Sequence, residues 1–188
     1  RSMPAGDTIT VGVTHWRGAR AATDHLVQLG HQRIAMISGP RDLLFSQARV
    51  DGFRAALGSA GLTVADDYVV ATEYGFGAGR DAAIELLDVV PRPTAIFAAS
   101  DEQALGVYEA ARLAGLRIPN DLSVVGFNDV PIAEWASPPL TTVREPIRDA
   151  ARESVRLLRA QMGGGGEASA VELVTDFIVR ESTAPPAA

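Results

Sequence analysis

Residues 94–129 read TAIFAASDEQALGVYEAARLAGLRIPNDLSVVGFND and predict a strand, a helix and a second strand. The apolar run Ala95 to Ala99 is short and rich in large side chains, which is typical of a strand buried on both faces. Ser100 is predicted to cap the helix, because Gln103 follows at the capping-box spacing. The apolar run Leu122 to Phe127 comes next, so this stretch is predicted to be a βαβ unit with two parallel strands.

Polar residues follow both predicted strands. Ser100 and Asp101 come after the first strand, and Asn128 and Asp129 come after the second. Ligands of open parallel sheets bind beyond the carboxyl ends of the strands, so these residues are candidates for a binding site. Each also has a structural interpretation, because Ser and Asp favour helix starts and Asn and Asp favour turns.

The same alternation of strand and helix covers most of the chain and predicts a doubly wound α/β fold with a parallel sheet. Further strands are predicted at 9–14, 33–38, 68–72 and 140–144, and further helices from Gly18, around Arg49, from Arg80 and from Pro146 to Met162. The glycine-rich segment 73–79 is predicted to be a loop, and 130–139 an ordered surface loop. Residues 171–182 are predicted to form one edge strand, and the tail 183–188 to be frayed.

Composition limits the possible functions. The chain has 188 residues, of which 47% are hydrophobic and 21% charged, as in a globular protein with a sizeable core. Its net charge of −6 and the lack of a basic cluster argue against direct binding of nucleic acid. Without cysteines it has neither disulfides nor thiolate metal sites. No apolar run approaches the ~20 residues that span a membrane, and no signal-peptide pattern is present, so a cytoplasmic location is expected. The start at Arg1 suggests a piece of something longer.

Enzyme interpretations find little support in the sequence. Residues 75–79 read GFGAG after a predicted strand, but Gly79 comes one position too early for the dinucleotide-binding pattern. Asp101 and Asp129 could form a glycosidase pair, yet nothing nearby suggests that either carboxyl is held protonated. The dispersed histidines predict no metal site, and no serine lies in a nucleophile elbow. We therefore expect no catalytic residues and no cofactor.

Several segments resemble the lactose-repressor and galactose-repressor (LacI/GalR) family of transcription regulators. They read HLVQLGHQRIAMISGP, SQARVDGFRAAL, SPPLTTVREP and VRESTAPP, together with residues 93–129, and they cover nearly the whole chain from Gly12. The resemblance implies a type I periplasmic-binding-protein-like effector domain of two halves, mostly its second half here. It divides the chain into 1–17 (end of the first half), 18–144 (second half), 145–168 (return to the first half) and 169–188 (terminal strand and tail).

The resemblance also implies effector contacts at positions suited to polyol chemistry. Arg49 lies in the S-x-x-R-x-x-G-F pattern and would offer donors to hydroxyl groups. Phe76 would pack on the apolar face of a sugar. Ser100, Asn128 and Glu145 stand where asparagine, aspartate and glutamine are usual, and Asp101 completes the predicted set. A second departure is Thr14 and His15, which replace a common Asp-Asn pair at the cleft edge, so the resemblance does not identify the effector.

The expected function is therefore a sugar-responsive sensor domain that binds no DNA by itself, since the family's helix-turn-helix is absent from this chain. The resemblance further implies a homodimer through the helix 103–113, with Leu105, Tyr108 and Ala111 in the interface. The alternative is the solute-binding protein of a sugar ABC transporter, which has the same fold but is exported.

Overall fold

The computed structural model describes residues 10–63, 65–162 and 170–187 and shows an alternating α/β fold. Its strands are β1 (Thr10–Val13), β2 (Ile34–Ser38), β3 (Val69–Ala71), β4 (Ala95–Ala98), β5 (Ser123–Asn128), β6 (Thr141–Arg144), β7 (Ala170–Leu173) and β8 (Asp176–Ile178). Its α-helices are α1 (His15–Gln28), α2 (Leu44–Ser59), α3 (Phe76–Asp88), α4 (Asp101–Leu113), α5 (Ile132–Trp135) and α6 (Ile147–Met162), and a 3-10 turn covers Asp66–Tyr68.

The main sheet has six strands in the order β3-β2-β4-β5-β6-β8. Its strands are parallel except for β8, which runs antiparallel to β6. Strands β1 and β7 form a separate two-stranded parallel sheet. The predicted fold class, a doubly wound α/β fold with a mostly parallel sheet, is confirmed.

Helices cover both faces of the main sheet. Alternate strand residues such as Met36 and Phe97 pack in one cluster with α1 and α2, where Phe53 is fully buried. Their neighbours Ile37 and Ile96 point the other way and pack in the cluster formed with α3 and α4. Because both faces are buried, the strands read as continuous apolar runs, which is why the sequence revealed them.

Two glycines bring α3 and α4 into backbone contact. A Cβ on Gly79 would lie 2.5 Å from the backbone of Gln103, and one on Gly106 would lie 2.4 Å from the carbonyl oxygen of Phe76. Only glycine permits this approach. The loop predicted for 73–79 is therefore wrong in its second half. Helix α3 already begins at Phe76, and Gly79 lies inside it, where it allows close packing against α4.

Helix α1 begins at His15, three residues before the predicted start at Gly18. No side chain caps it, so the sequence lacks the usual start signal. Gly18 lies inside this helix, and a Cβ there would be 2.8 Å from Val143 Cγ1, so close packing against β6 favours glycine at this position. The segment 130–139 contains the short helix α5 where a loop was predicted.

The single edge strand predicted for 171–182 is wrong. The chain pairs with β1 as β7, bends, and then pairs with β6 as β8 in the other sheet. The bend is fixed by Thr175, whose backbone N–H donates to Thr14 Oγ1 at 3.0 Å. The chain thus passes between the two sheets at Thr14, at Glu145 and at residues 174–175.

Helix α6 packs near the small sheet and exposes an apolar surface. The apolar residues along one side of this helix are exposed, and they comprise Ile147, Ala151, Val155, Leu158 and Met162. Leu157 is the buried residue of this helix. No helix in the part of the chain that the structure describes is both long and apolar enough to cross a membrane.

The C-terminal segment is bound to the main sheet, so the frayed tail predicted from residue 183 is wrong for its first residues. Ser182 is fully buried. The backbone N–H of Val124 donates to the carbonyl oxygen of Ser182 at 2.9 Å, and that of Ala184 donates to Ser123 Oγ at 3.0 Å. These contacts lie at the amino ends of the strands.

Candidate functional site: a crevice at the carboxyl ends of the strands

A crevice of about 430 Å³ opens where the strands of the main sheet end, and we call it the rim crevice. It is lined by His15, Phe45, Arg49, Tyr74, Ser100, Asp101, Glu102, Asn128, Val130 and Glu145. Five of the predicted effector-binding residues lie here, and Phe76 does not. The sheet brings them together because the carboxyl ends of parallel strands share one edge.

Arg49 lies in the first two turns of α2 and is only 3% exposed. Its Nη1 donates to the carbonyl oxygen of Ala99 at 2.5 Å, and its Nη2 donates to Glu145 Oε1 at 2.8 Å. The guanidinium carbon lies 3.8 Å from the ring centroid of Phe127, a cation–π contact. Within the described residues Arg49 Nε has no hydrogen-bond partner. Burial lowers the pKa of Arg49 while Glu145 opposes the shift, and the guanidinium stays charged.

Glu145 connects several of the predicted residues. Its Oε2 accepts from Asn128 Nδ2 at 2.8 Å, and its Oε1 lies 3.2 Å from His15 Nδ1 as well as 2.8 Å from Arg49. Burial opposes its ionisation, but the hydrogen bond of His15 and the charge of Arg49 outweigh that effect and lower the pKa of Glu145. The carboxylate is therefore ionised at neutral pH.

Ser100 caps α4, as the sequence predicted, because its Oγ accepts from the backbone N–H of Gln103 at 3.1 Å. Asp101 is buried beside it and receives hydrogen bonds from Thr142 Oγ1 and from the backbone N–H of Val130, the latter at 2.8 Å. Burial outweighs these bonds and raises the pKa of Asp101 to about 6. The surroundings of Asp101 thus raise its pKa, but at a value of about 6 the carboxyl is still mostly ionised at neutral pH.

Asp129 does not line the crevice. Its carboxylate accepts from Arg144 Nε at 2.6 Å and from Arg180 Nη2 at 2.7 Å, which ties β5 to β6 and to the chain after β8. Both carboxyls of the suspected glycosidase pair are therefore engaged in structural hydrogen bonds. Asp101 therefore has a structural role at the edge of the crevice, and Asp129 has a structural role in linking neighbouring strands.

The aromatic residues of the crevice are Phe45 and Tyr74, which the sequence analysis missed. Their rings are stacked with centroids 5.9 Å apart, and Tyr74 Oη is 2.8 Å from Ser46 Oγ. Phe45 could have been found, because it lies four residues before Arg49 on the same face of α2. Phe76 does not line the rim crevice; its side chain is 48% exposed and lines a separate groove beside α4, so its position does not support the predicted effector contact.

The glycine-rich segment offers no support for dinucleotide binding. Gly75 precedes α3 and Gly79 contacts α4, so the third glycine of the pattern is used for packing. Among residues 10–63, 65–162 and 170–187, no group of His, Asp or Glu side chains is arranged to hold a metal ion.

A second groove runs along α4 and contains part of the predicted dimer surface. It is lined by Phe76, Leu105, Tyr108, Glu109, Arg112, Leu116, Ile118, Ser137 and Pro138. Ala111 is only 1% exposed and packs in the core between α4 and the sheet. The prediction for Ala111 is therefore corrected, because its side chain is not available to a partner.

Comparison with known proteins identifies the family. Residues 23–183 match the model of a periplasmic binding protein-like domain. A LacI-family regulator from Enterococcus faecium, solved with bound ribose, has a TM-score of 0.88 and 32% identity over 97% of this chain and 68% of its own. The chain belongs to the LacI family. The structure of the CelR–cellobiose complex is also similar, with a TM-score of 0.91 and 38% identity over 96% of this chain and 55% of that one.

Curated relatives agree with this LacI-family assignment. The repressor CytR of Escherichia coli K12 is 36% identical over 93% of this chain and 51% of its own length. The regulator CelR of Thermobifida fusca is 38% identical over 96% and 53%, respectively. The chain therefore spans about half the length of these relatives.

Proposed function

We propose that this chain is the ligand-sensing part of a non-enzymatic, cytoplasmic transcription regulator that binds a small sugar-like effector in the rim crevice. The observation that carries this proposal is the network of Arg49, Glu145 and Asn128, which presents a guanidinium, a carboxylate and an amide at one edge of the sheet. Such groups recognise hydroxyls, and the aromatic rings of Phe45 and Tyr74 provide an apolar wall beside them. Relatives solved with cellobiose and ribose support the class of ligand.

The position of Glu145 suggests how an effector acts. Glu145 lies between β6 and α6, where the chain leaves the main sheet for the small one. In the proposed protein, the small sheet and α6 belong to a second half that closes over the crevice, and the exposed apolar stripe of α6 is covered there. An effector that contacts both halves favours the closed arrangement, and this difference in affinity controls the DNA-binding helix-turn-helix outside this chain.

We further propose that the groove along α4 is the surface of a homodimer. Leu105 and Tyr108 line it beside the exposed ring of Phe76. Leu105→Glu should convert the dimer to a monomer in sedimentation experiments. Leu113→Glu, which introduces the same charge at an exposed position of the same helix, is the matched control. A monomeric wild-type protein would contradict this part of the proposal.

The effector site is tested by calorimetric titration of the protein expressed at the full length of its coding sequence. Pentoses, hexoses and disaccharides are titrated, and at least one is expected to bind. Asn128→Ala should weaken that binding by about tenfold or more, since a hydrogen-bonded amide is lost. Arg54→Ala, which removes an exposed arginine of α2, should leave it unchanged.

Unchanged affinity in Asn128→Ala would place the effector elsewhere. The coding sequence upstream of Arg1 gives a second test, since a helix-turn-helix is expected there. An export signal would instead indicate the alternative, a solute-binding protein of a sugar transporter.

A further inference from the structure

We infer that the rim crevice selects an uncharged effector that donates hydrogen bonds, so that free sugars bind and their phosphate esters are rejected. This inference deepens the proposed function and rests on it. The family assignment leaves the charge of the effector open, and the contacts of this chain's own residues decide it.

Arg49 is the residue that would attract a phosphate, but it is buried and already paired with the carboxylate of Glu145. One N–H of Nη1 is bound to Ala99 O and one of Nη2 to Glu145 Oε1. One face of the guanidinium is covered by Phe127, and Nε is buried without a partner among the described residues. At 3% exposure, Arg49 is a neutralised, buried cation and presents no open fork to an anion.

Glu145 and Asn128 offer hydrogen-bond acceptors to a ligand in the crevice. Glu145 uses its two oxygens to receive Arg49 and Asn128, and a carboxylate retains further lone pairs. Asn128 directs its Nδ2 to Glu145, which leaves Oδ1 as the free end of the amide. A sugar hydroxyl can donate to these oxygens, whereas an ionised phosphate offers few donors or none.

The charges that line the crevice also disfavour an anionic ligand. Asp101, Glu102 and Glu145 line it, and the described lining residues supply one guanidinium, Arg49, against them. His15 lies between Arg49 and Glu145, with Nδ1 at 3.3 Å and 3.2 Å from them. A phosphate ester carries about −1.5 to −2 charges at neutral pH.

Glu145 is the residue on which this selection depends. Glutamine at this position would still accept from Arg49 through its oxygen, but it would leave the guanidinium without a counter-charge. Glu145→Gln should therefore make the crevice more tolerant of anions while it keeps the hydrogen bond from Arg49. Glu102→Gln, at an exposed lining position, should act in the same direction but more weakly.

The experiment compares matched pairs of ligands in the protein at the full length of its coding sequence. Ribose and ribose 5-phosphate, glucose and glucose 6-phosphate, and cellobiose and its 6-phosphate are titrated calorimetrically, with inorganic phosphate as a separate probe. For the sugar that binds, we expect the phosphate ester to bind at least about tenfold more weakly. Glu145→Gln should reduce that ratio to about threefold or less, and Glu85→Gln, at an exposed position of α3 outside the crevice, should leave it unchanged.

The possible outcomes separate the two proposals. A phosphate ester that binds more tightly than its parent sugar would overturn the inference and leave the proposed function standing. Absence of binding by every sugar and every ester would overturn the proposed function. An unchanged ratio in both Glu145→Gln and Glu102→Gln would also overturn the inference, and the second variant keeps this test available if the first fails to fold.

Discussion

The two ends of the main sheet each hold a network of buried polar side chains, and the two networks differ in charge. At the carboxyl ends, Arg49 and Glu145 form an ion pair beside an open crevice. At the amino ends, His31, Thr94 and Ser123 form a network of neutral groups that is closed over by the chain's own C-terminal segment, which Ser182 holds to the neighbouring backbone. Buried neutral groups that are fully hydrogen-bonded stabilise a fold, whereas a buried ion pair is costly to desolvate. The comparison indicates that one end serves stability and the other recognition.

The amino-end network comprises His31, Thr94, Ser123 and Ala184, with Ser182 beside it, and the buried side-chain polar atoms of these residues have hydrogen-bond partners among the described residues. His31 is 2% exposed, with Nδ1 2.9 Å from Thr94 Oγ1 and Nε2 2.9 Å from Ala184 O. Because a carbonyl oxygen only accepts, Nε2 carries the hydrogen. Arg49 at the other end leaves Nε without a partner among the described residues.

The largest change in stability is expected when the ion pair of Arg49 and Glu145 is broken. Arg49→Ala leaves the Glu145 carboxylate buried without its counter-charge and should lower the free energy of unfolding by about 3–5 kcal/mol in chemical denaturation. Arg54→Ala on the exposed side of the same helix is the control, with an expected change within about 0.5 kcal/mol. In the double variant Arg49→Ala/Glu145→Gln the loss should be smaller than in Arg49→Ala. A loss below about 1 kcal/mol in Arg49→Ala would show that the pair is not desolvated.

The next effect concerns the pH dependence of stability. Since burial raises the pKa of Asp101 to about 6, the folded state binds more protons than the unfolded state above the carboxyl's ordinary pKa of 3.8. The contribution of Asp101 to stability is thus present at low pH and is lost as pH rises towards 6, by at most about 3 kcal/mol. Asp101→Asn should remove this loss, so its stability relative to wild type should increase from pH 4.5 to 7 in urea titrations. Parallel curves for the two proteins would contradict the raised pKa.

A third experiment weakens the amino-end network without adding charge. Ser182 Oγ accepts from the backbone N–H of Thr141 at 2.8 Å and donates to the carbonyl oxygen of Val124 at 2.6 Å. Ser182→Ala leaves both backbone groups without this partner and should cost about 1–3 kcal/mol. Ser154→Ala, on the exposed face of α6, should change stability by less than about 0.5 kcal/mol. Effector affinity should be unchanged in Ser182→Ala, and a loss of affinity would mean that the two ends are coupled.

The smallest expected effect is also a dependence of stability on pH, and its sign is opposite to that expected for Asp101. Burial lowers the pKa of His31, so below its ordinary pKa of 6.5 the unfolded state binds more protons than the folded state. The contribution of His31 is therefore present at neutral pH and is lost as pH falls below 6.5. His31→Gln should flatten this part of the stability curve, measured by thermal unfolding between pH 5 and 7.5. A slope equal to that of wild type would assign the acid sensitivity to other groups.

The site residues at the carboxyl ends of the strands were predicted from the sequence, whereas the polar contacts at the amino ends were not. Polar residues after apolar runs, together with the family resemblance, indicated Arg49, Asn128 and Glu145, because strand ends are visible as changes in hydrophobicity. The role of Ser182 was invisible, since its partners at Val124 and Thr141 are backbone groups distant in the chain. Residues 183–188 are rich in Ala and Pro, and their sequence contains no pattern that predicts hydrogen bonds to the strands.

Two other errors of the prediction from sequence arise from the residues next to the misassigned segments. Phe76 was misplaced because the glycines around it suggested a loop, although Gly79 is required by the contact with α4. The break at residues 174–175 was missed because alternation of apolar and polar residues continues through the bend, while the change of sheet is set by Thr14. Tyr74 was missed because it precedes the same misassigned helix.

The glycine contact between α3 and α4 has a practical consequence for observing an effector response. Backbones that touch at Gly79 and Gly106 have no layer of side chains through which to slide, so these helices should travel as one unit. Two spectroscopic labels placed on α3 and α4 would keep their separation when a sugar is added. A pair with one label on α4 and the other on α6 would span the crossings at Thr14, Glu145 and Thr175, and would report the motion itself.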